Sequence, residues 1–192
     1  MFFKMSGVDQ DKMLNTMRKN KLDHNFTEIT KKARAAGDFT SPREDTLWFS
    51  TPRYGVIAFN TTRLVRYDAT NPWHQTEMEI MGLAQVRDTA RYALKYLPGF
   101  EKAYLSQVAT QVGVRESRRI VCDYKVTQDD LLSCREFEDS LARGCYPIDI
   151  HNPTGSGTTI IHLEEGKSYC IPYRSMTVKG FDNLLSQGRS RK

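Results

Sequence analysis

The sequence has 192 residues, enough for one well-filled domain and too few to leave room for a second of ordinary size. Hydrophobic residues make up 39% and charged residues 27%, so a packed core is within reach and wholesale disorder is excluded. A net charge of +5 and a pI near 9.0 suit an anionic partner, but many soluble enzymes are as basic, so charge alone selects no function.

No apolar run approaches the roughly 20 residues a membrane-spanning helix needs. The Met1-Phe2-Phe3 start leads into Lys4 and polar residues, not into a signal-peptide core. The sequence therefore reads as cytoplasmic, without a membrane partner. The cysteines, at 122, 134, 145 and 170, contain no CxxC pair, so a zinc knuckle or an iron–sulfur loop lacks its usual ligand spacing. Reduced structural thiols are the expectation, with a scattered four-cysteine metal site or a disulfide pair as the alternatives. The histidines at 24, 74, 151 and 162 show no metal-ligand spacing either.

In chain order, Asp9 is placed to cap a short helix through Met13, Leu14 and Met17. Asn25 with Glu28 reads as the capping box of a second helix, which should stop at Gly37. Lys31, Lys32 and Arg34, with Arg18, Lys19 and Lys21, read as a solvated face, and a nucleic-acid patch is the competing reading. Leu47 to Ser50 and Tyr54 to Asn60 favour two strands of a hairpin. Between Asn71-Pro72 and Pro98-Gly99 lies the clearest helix, with Ile80, Leu83, Val86, Ala90, Leu94 and Leu97 expected on its core face. That face is expected to pack on a sheet containing Val121 to Val126.

Beyond Gly99 the character is strand-like: Tyr104 to Val112, then Arg118 to Val126. Thr127 with Asp130 opens a helical turn by a capping box. Tyr146 to His151, Thr158 to Leu163, Tyr169 to Arg174 and Asn183 to Gln187 complete the expected strands. No internal repeat is visible. The architecture is expected to be α+β with a mainly antiparallel sheet and packed helices.

Within Arg118 to Val126, Ile120, Cys122, Tyr124 and Val126 share one parity, which should face inward. Extending that parity backwards turns Glu116 and Arg118 inward as well. Burying both costs several kcal/mol unless they pair or meet a polar ligand, so they form either an internal ion pair or a site. Asp149 and His151 share a side of their strand, opposite Tyr146, Ile148 and Ile150. A His beside a carboxylate can serve as a general acid or base, and the plainer reading is a solvent-facing Asp and His on an edge strand. Arg174 follows Pro172 and Tyr173, where a fixed backbone could aim its guanidinium at an anion; it could equally be a surface charge. No GxGxxG turn and no GxxxxGK[ST] loop occurs, so a complete dinucleotide-binding Rossmann unit is not encoded in these residues.

Four blocks carry a resemblance: Gly113-Val114-Arg115-Glu116-Ser117-Arg118-Arg119-Ile120, Tyr146-Pro147-Ile148-Asp149-Ile150-His151, Ile171-Pro172-Tyr173-Arg174-Ser175, and Val178-Lys179-Gly180-Phe181-Asp182-Asn183-Leu184-Leu185. Their order and spacing resemble a bacterial family of FAD-dependent oxidoreductases related to the heterodisulfide reductase A subunit. The similarity runs from Phe2-Phe3-Lys4 through Pro98-Gly99-Phe100-Glu101 to Gly188-Arg189. Cys122, Cys134 and Cys145 stand where relatives are expected to carry glycine or another small residue.

The resemblance implies a fold like the substrate, or cap, domain of a glutathione-reductase-like flavoprotein. Residues 1–180 would form the substrate-side domain, and 181–192 the remnant of a strand returning to an FAD-binding domain. In full-length relatives a glycine-rich Rossmann unit precedes this region. The chain is therefore expected to be an internal or C-terminal piece, or one half of a split enzyme whose partner is a separate Rossmann/FAD-binding chain. FAD is the implied cofactor, with its site incomplete here, and an unidentified small organic molecule the implied substrate; no iron–sulfur motif is seen. By resemblance, Arg118, Asp149 and His151 are the catalytic candidates. Arg115, Glu116, Tyr173 and Arg174 are assigned to substrate, and Arg119, Gly188 and Arg189 to the cofactor. The competing reading is a catalytically silent binding module derived from such an enzyme. Nucleic-acid binding lacks a stacking motif.

Overall fold

A computed structural model describes residues 1–115, 117–152 and 157–188, and of His151 the backbone alone. The chain folds as α+β with mainly antiparallel pairing, in two compact units. The first is Met1–Gly113; the second is Val114–Asn152, resuming at Thr158.

The first unit is built on β1 (Phe3–Ser6), β2 (Trp48–Ser50), β3 (Val56–Phe59) and β4 (Tyr104–Val108), in the order β2-β3-β1-β4 with every neighbour antiparallel. Alternation turns Phe3 and Met5 of β1, and Ile57 and Phe59 of β3, into the core. Phe3 lies opposite Phe59, and their rings stack at 4.9 Å. Three helices cover this face: α1 (Gln10–Lys19), α2 (Thr27–Ala35) and α3 (Pro72–Tyr96). Asp9 caps α1 as expected, its carboxylate accepting the Lys12 N–H at 2.9 Å. Gly99, with φ +83°, packs onto that cap so tightly that a Cβ would collide with the Asp9 carbonyl oxygen.

The cap of α2 differs from the sequence expectation. Phe26, fully buried, occupies the N-cap in the left-handed region at φ 52°. Asp23 takes the capping role, accepting from the Thr27 amide and hydroxyl at 2.9 and 2.7 Å, while the Asn25 amide donates to Asp45. Anchoring the Phe26 ring in the core sets the chain direction and moves the capping carboxylate back. Deeper still, Tyr92, Thr30 and Thr46 close a triangle of hydroxyls at 2.9 to 3.0 Å, so their burial leaves no hydroxyl unsatisfied.

The expected core face of α3 is only partly correct. Val86, Ala90 and Leu97 are buried, but Ile80, Leu83 and Leu94 are exposed. Their places inside are taken by Met78, Gly82, Gln85, Thr89, Tyr92 and Ala93. Gln85 exchanges hydrogen bonds with the Arg63 backbone in both directions at 2.9 Å, and Thr89 donates to the Gln85 carbonyl. Small residues and hydrogen-bonded polar ones therefore make much of the contact face, which a pattern of large aliphatics alone does not reveal.

The second unit contains α4 (Gln128–Leu132), β5 (Ser140–Gly144), β6 (Ile148–His151), β7 (Thr158–Ile161), β8 (Tyr169–Pro172) and a 3₁₀ turn at Tyr173–Ser175. Two antiparallel ladders form, β5 with β8 and β6 with β7. The strand expected over Arg118 to Val126 is reduced to isolated bridging, Cys122 with Val178. Alternation survives at Cys122, Tyr124 and Val126, which are half-buried between exposed Val121, Asp123 and Lys125. It fails upstream, where Arg118 and Ile120 are exposed and not inward. Asn183 to Gln187 likewise gives one bridge, Thr177 with Leu185. Strands β1 and β5 were not signalled by the sequence. Among the described residues no helix is long and apolar enough to cross a membrane.

Candidate functional site

The charged residues singled out from the sequence fall into two groups within the second unit. The first lies where the segment after Gly113 meets β6. Arg115 extends a guanidinium nitrogen to 3.9 Å from Asp149 Oδ2, a loose ion pair. Asp149 is the more buried member, while its strand neighbour Ile150 and the preceding Tyr146 are exposed. Asp149 is thus turned toward the protein while Ile150 is exposed, against the plainer reading from alternation. His151 continues β6 opposite Thr158 through its backbone; its side chain, Glu116 and Arg189 lie outside the described residues. Arg118 and Arg119 are both exposed.

The second group is a stacked cation cluster. The Arg174 guanidinium sits over the Tyr124 ring at 5.1 Å and the Phe137 ring at 5.5 Å, and 3.7 Å from Asp139. The Arg174 amide donates to the Asp139 carboxylate and the Tyr173 amide to the Asp139 carbonyl. Arg135 lies 5.1 Å over the other neighbour, Phe137, and donates to Asp130 at 3.1 Å. Asp130 also accepts from the Tyr124 hydroxyl and from the amide and hydroxyl of Thr127, completing the capping box of α4. Burial pushes the Asp130 pKa up, but these donors together outweigh it and hold the carboxyl below its ordinary value. Burial, then the Asp130 carboxylate, pushes the Tyr124 phenol up.

Arg174 is therefore already engaged by two rings and a carboxylate, and half of its side chain remains exposed. Tyr173 is exposed beside it. Gly188, at φ +78°, has open space around it. Sequence reasoning found the Asp130 cap but missed that the same carboxylate organises Tyr124 and Arg135. It also missed a thiol contact: Cys170, buried on β8, donates to Glu136 at 2.9 Å, and Glu136 pairs closely with Arg143 of β5. The spacing of these partners along the chain carries no motif, so only the ladder register, which sets Arg143 opposite Cys170, brings them together.

The pyrophosphate of FAD needs free amide donors at a helix N-terminus. The shortest strand-to-helix turn, β1 through Gly7 into α1, does not offer them. Asp9 fills that end with a carboxylate, and the Val8 and Asp9 amides are spent on the Gly55 and Gly99 carbonyls. This end of α1 does not fit the ADP half of the cofactor. Among the described residues no His, Cys, Asp and Glu cluster is arranged to hold a metal.

Neither the curated proteins nor the solved structures gave a match. A family model described as FAD dependent oxidoreductase matches residues 1–191, nearly the whole chain, and on that ground the chain belongs to the FAD-dependent oxidoreductase family.

Proposed function

We propose that this chain forms the substrate-side portion of an FAD-dependent oxidoreductase of the group related to the heterodisulfide reductase A subunit, acting on a small anionic organic substrate. One observation carries the reading: Arg115, Arg118 and Arg119 lie on one exposed segment, and Arg115 reaches Asp149 beside His151. Exposed guanidiniums suit a planar carboxylate or a similar anion. In this arrangement Arg118 receives the anion, and Arg119 lies on the cofactor side. Asp149, steadied by Arg115, orients His151, and His151 exchanges a proton with the substrate. Tyr173 and the exposed part of Arg174 line the approach. The glycine-rich unit for the ADP half comes from elsewhere, in the same protein or in a separate chain.

Two measurements test this. The purified chain mixed with FAD and desalted should be colourless, and one retained flavin per chain overturns the division of labour. In the holoenzyme that includes the FAD-binding unit, Arg118→Ala should raise KM for the anionic substrate by about tenfold or more, the worth of a lost charge-assisted hydrogen bond. Arg118→Lys should recover part of it, and kcat should move less. Unchanged KM removes Arg118 from the site. A holoenzyme whose turnover ignores Arg118 and His151 alike favours the second reading, a silent binding module.

A further inference from the structure

Helix α3 carries apolar residues both in the core and on the opposite, exposed face, where charged residues stand among them. One face lies in the core of the first unit; the other carries Trp73, Ile80, Leu83 and Leu94 at 77, 63, 49 and 40% exposure. Exposed apolar side chains grouped on one face mark an interaction surface. The outward residues also have order: Trp73, Ile80, Arg87 and Leu94 recur every seventh residue, and Glu77, Ala84 and Arg91 form a second seven-residue row beside them. Seven-residue spacing keeps these mixed apolar and charged rows on one side of the helix. Glu77, Arg87 and Arg91 are exposed, and none of them has an ion-pair partner among the described residues.

We propose that this face binds the same face of a second copy of the chain, with the two α3 helices antiparallel and the two-fold axis at Ala84. The charges select this occupant and this register. With Ala84 at the axis, Glu77 lies level with Arg91 of the partner subunit, and by symmetry the pair occurs twice. At the outer ends Trp73 comes within one residue of the level of Leu94 of the partner subunit, and Ile80 and Leu83 flank the centre. The short Ala84 side chain lets the helix axes approach to about 8 Å, the close end of helix packing. A parallel pairing would instead set Glu77 against Glu77 and Arg91 against Arg91. One helix pair buries less than the roughly 1,600 Å² of a standard interface, so the dimer is concentration-dependent.

Sedimentation equilibrium of the intact chain under reducing conditions tests this. The expected result is a reversible monomer–dimer equilibrium at concentrations of about 10 to 100 μM. Glu77→Arg and Arg91→Glu each create two like-charge pairs and should weaken the dimer at least about tenfold. The double variant E77R/R91E restores both pairs with reversed polarity and should recover most of the affinity. These positions are exposed, and far-ultraviolet circular dichroism checks that each variant stays folded. A chain that is monomeric throughout overturns the proposal, as does a dimer indifferent to the single changes or not rescued by the double one. A monomer whose Ile80 face is covered only by a different protein overturns it too.

Discussion

The two units of this chain solve the problem of stability by different means. In the first, rings and aliphatic chains from every element meet in one core, including Phe3, Phe26, Phe39, Phe59, Tyr92 and Phe100. In the second, the buried hydrophobic residues are Phe137, Cys170 and Val178, and much of the order comes from Asp130, Tyr124, Arg135, Arg174 and Asp139. Apolar burial is indifferent to pH and sensitive to cavities. A charged network has the reverse sensitivity. The difference also locates function: the candidate site residues all belong to the polar unit, where cations and carboxylates are held near solvent.

The largest expected effect tests the first half of that contrast. Phe59→Ala removes a ring packed on both Phe3 and Phe100 and should cost about 3 to 5 kcal/mol in denaturant unfolding. A loss below about 1 kcal/mol would mean the first unit does not depend on its apolar core. A smaller effect tests the second half. Thr127→Ala deletes the hydroxyl side of the α4 capping box and should cost about 1 kcal/mol. The pH dependence follows from the same site. Asp130 has a folded pKa below its unfolded value, so its contribution is fully present above the ordinary carboxylate range and is lost as pH falls through the folded pKa. Amide chemical shifts around Thr127 and Asp130 should therefore hold steady through the ordinary carboxylate range and move only as pH falls below about 4. Shifts at these residues that complete their change above about pH 4 would show that the capping box does not hold the Asp130 carboxyl below its ordinary value.

Legibility in the sequence followed the same divide. Signals that act within a few residues survived: the Asp9 cap, the Asn71-Pro72 start of α3, the stop at Gly37 and the Thr127–Asp130 box. Local alternation survived too, at Cys122, Tyr124 and Val126, although the strand it suggested is only a bridge. What was not legible depends on partners far along the chain. β1 is short and follows the first residues, yet it sits inside the sheet because β3 and β4 flank it. Arg174 reads as an isolated cation until Tyr124, Phe137 and Asp139 are brought under it. The inward Asp149 reverses the reading of its strand, because the loose pairing with Arg115 joins two segments that share no motif.

The smallest effect expected decides which side of α3 the core occupies, and two leucines one turn apart make the test internal to the helix end. Leu97 is 2% exposed and belongs to the core; Leu94 is 40% exposed and points along the outer face. The side chains are chemically identical, so the difference between their truncations reports environment alone. Leu97→Ala should cost about 2 to 5 kcal/mol, the range for a buried leucine that leaves a cavity. Leu94→Ala leaves no closed cavity, and much of its area is in water already, so about 1 kcal/mol or less is expected. The comparison has to be made at concentrations where the chain is monomeric, because Leu94 also lies on the face assigned to self-association. Equal losses at the two positions would place the apolar periodicity of Ile80, Leu83 and Leu94 back in the core, and would remove the exposed face on which the dimer rests.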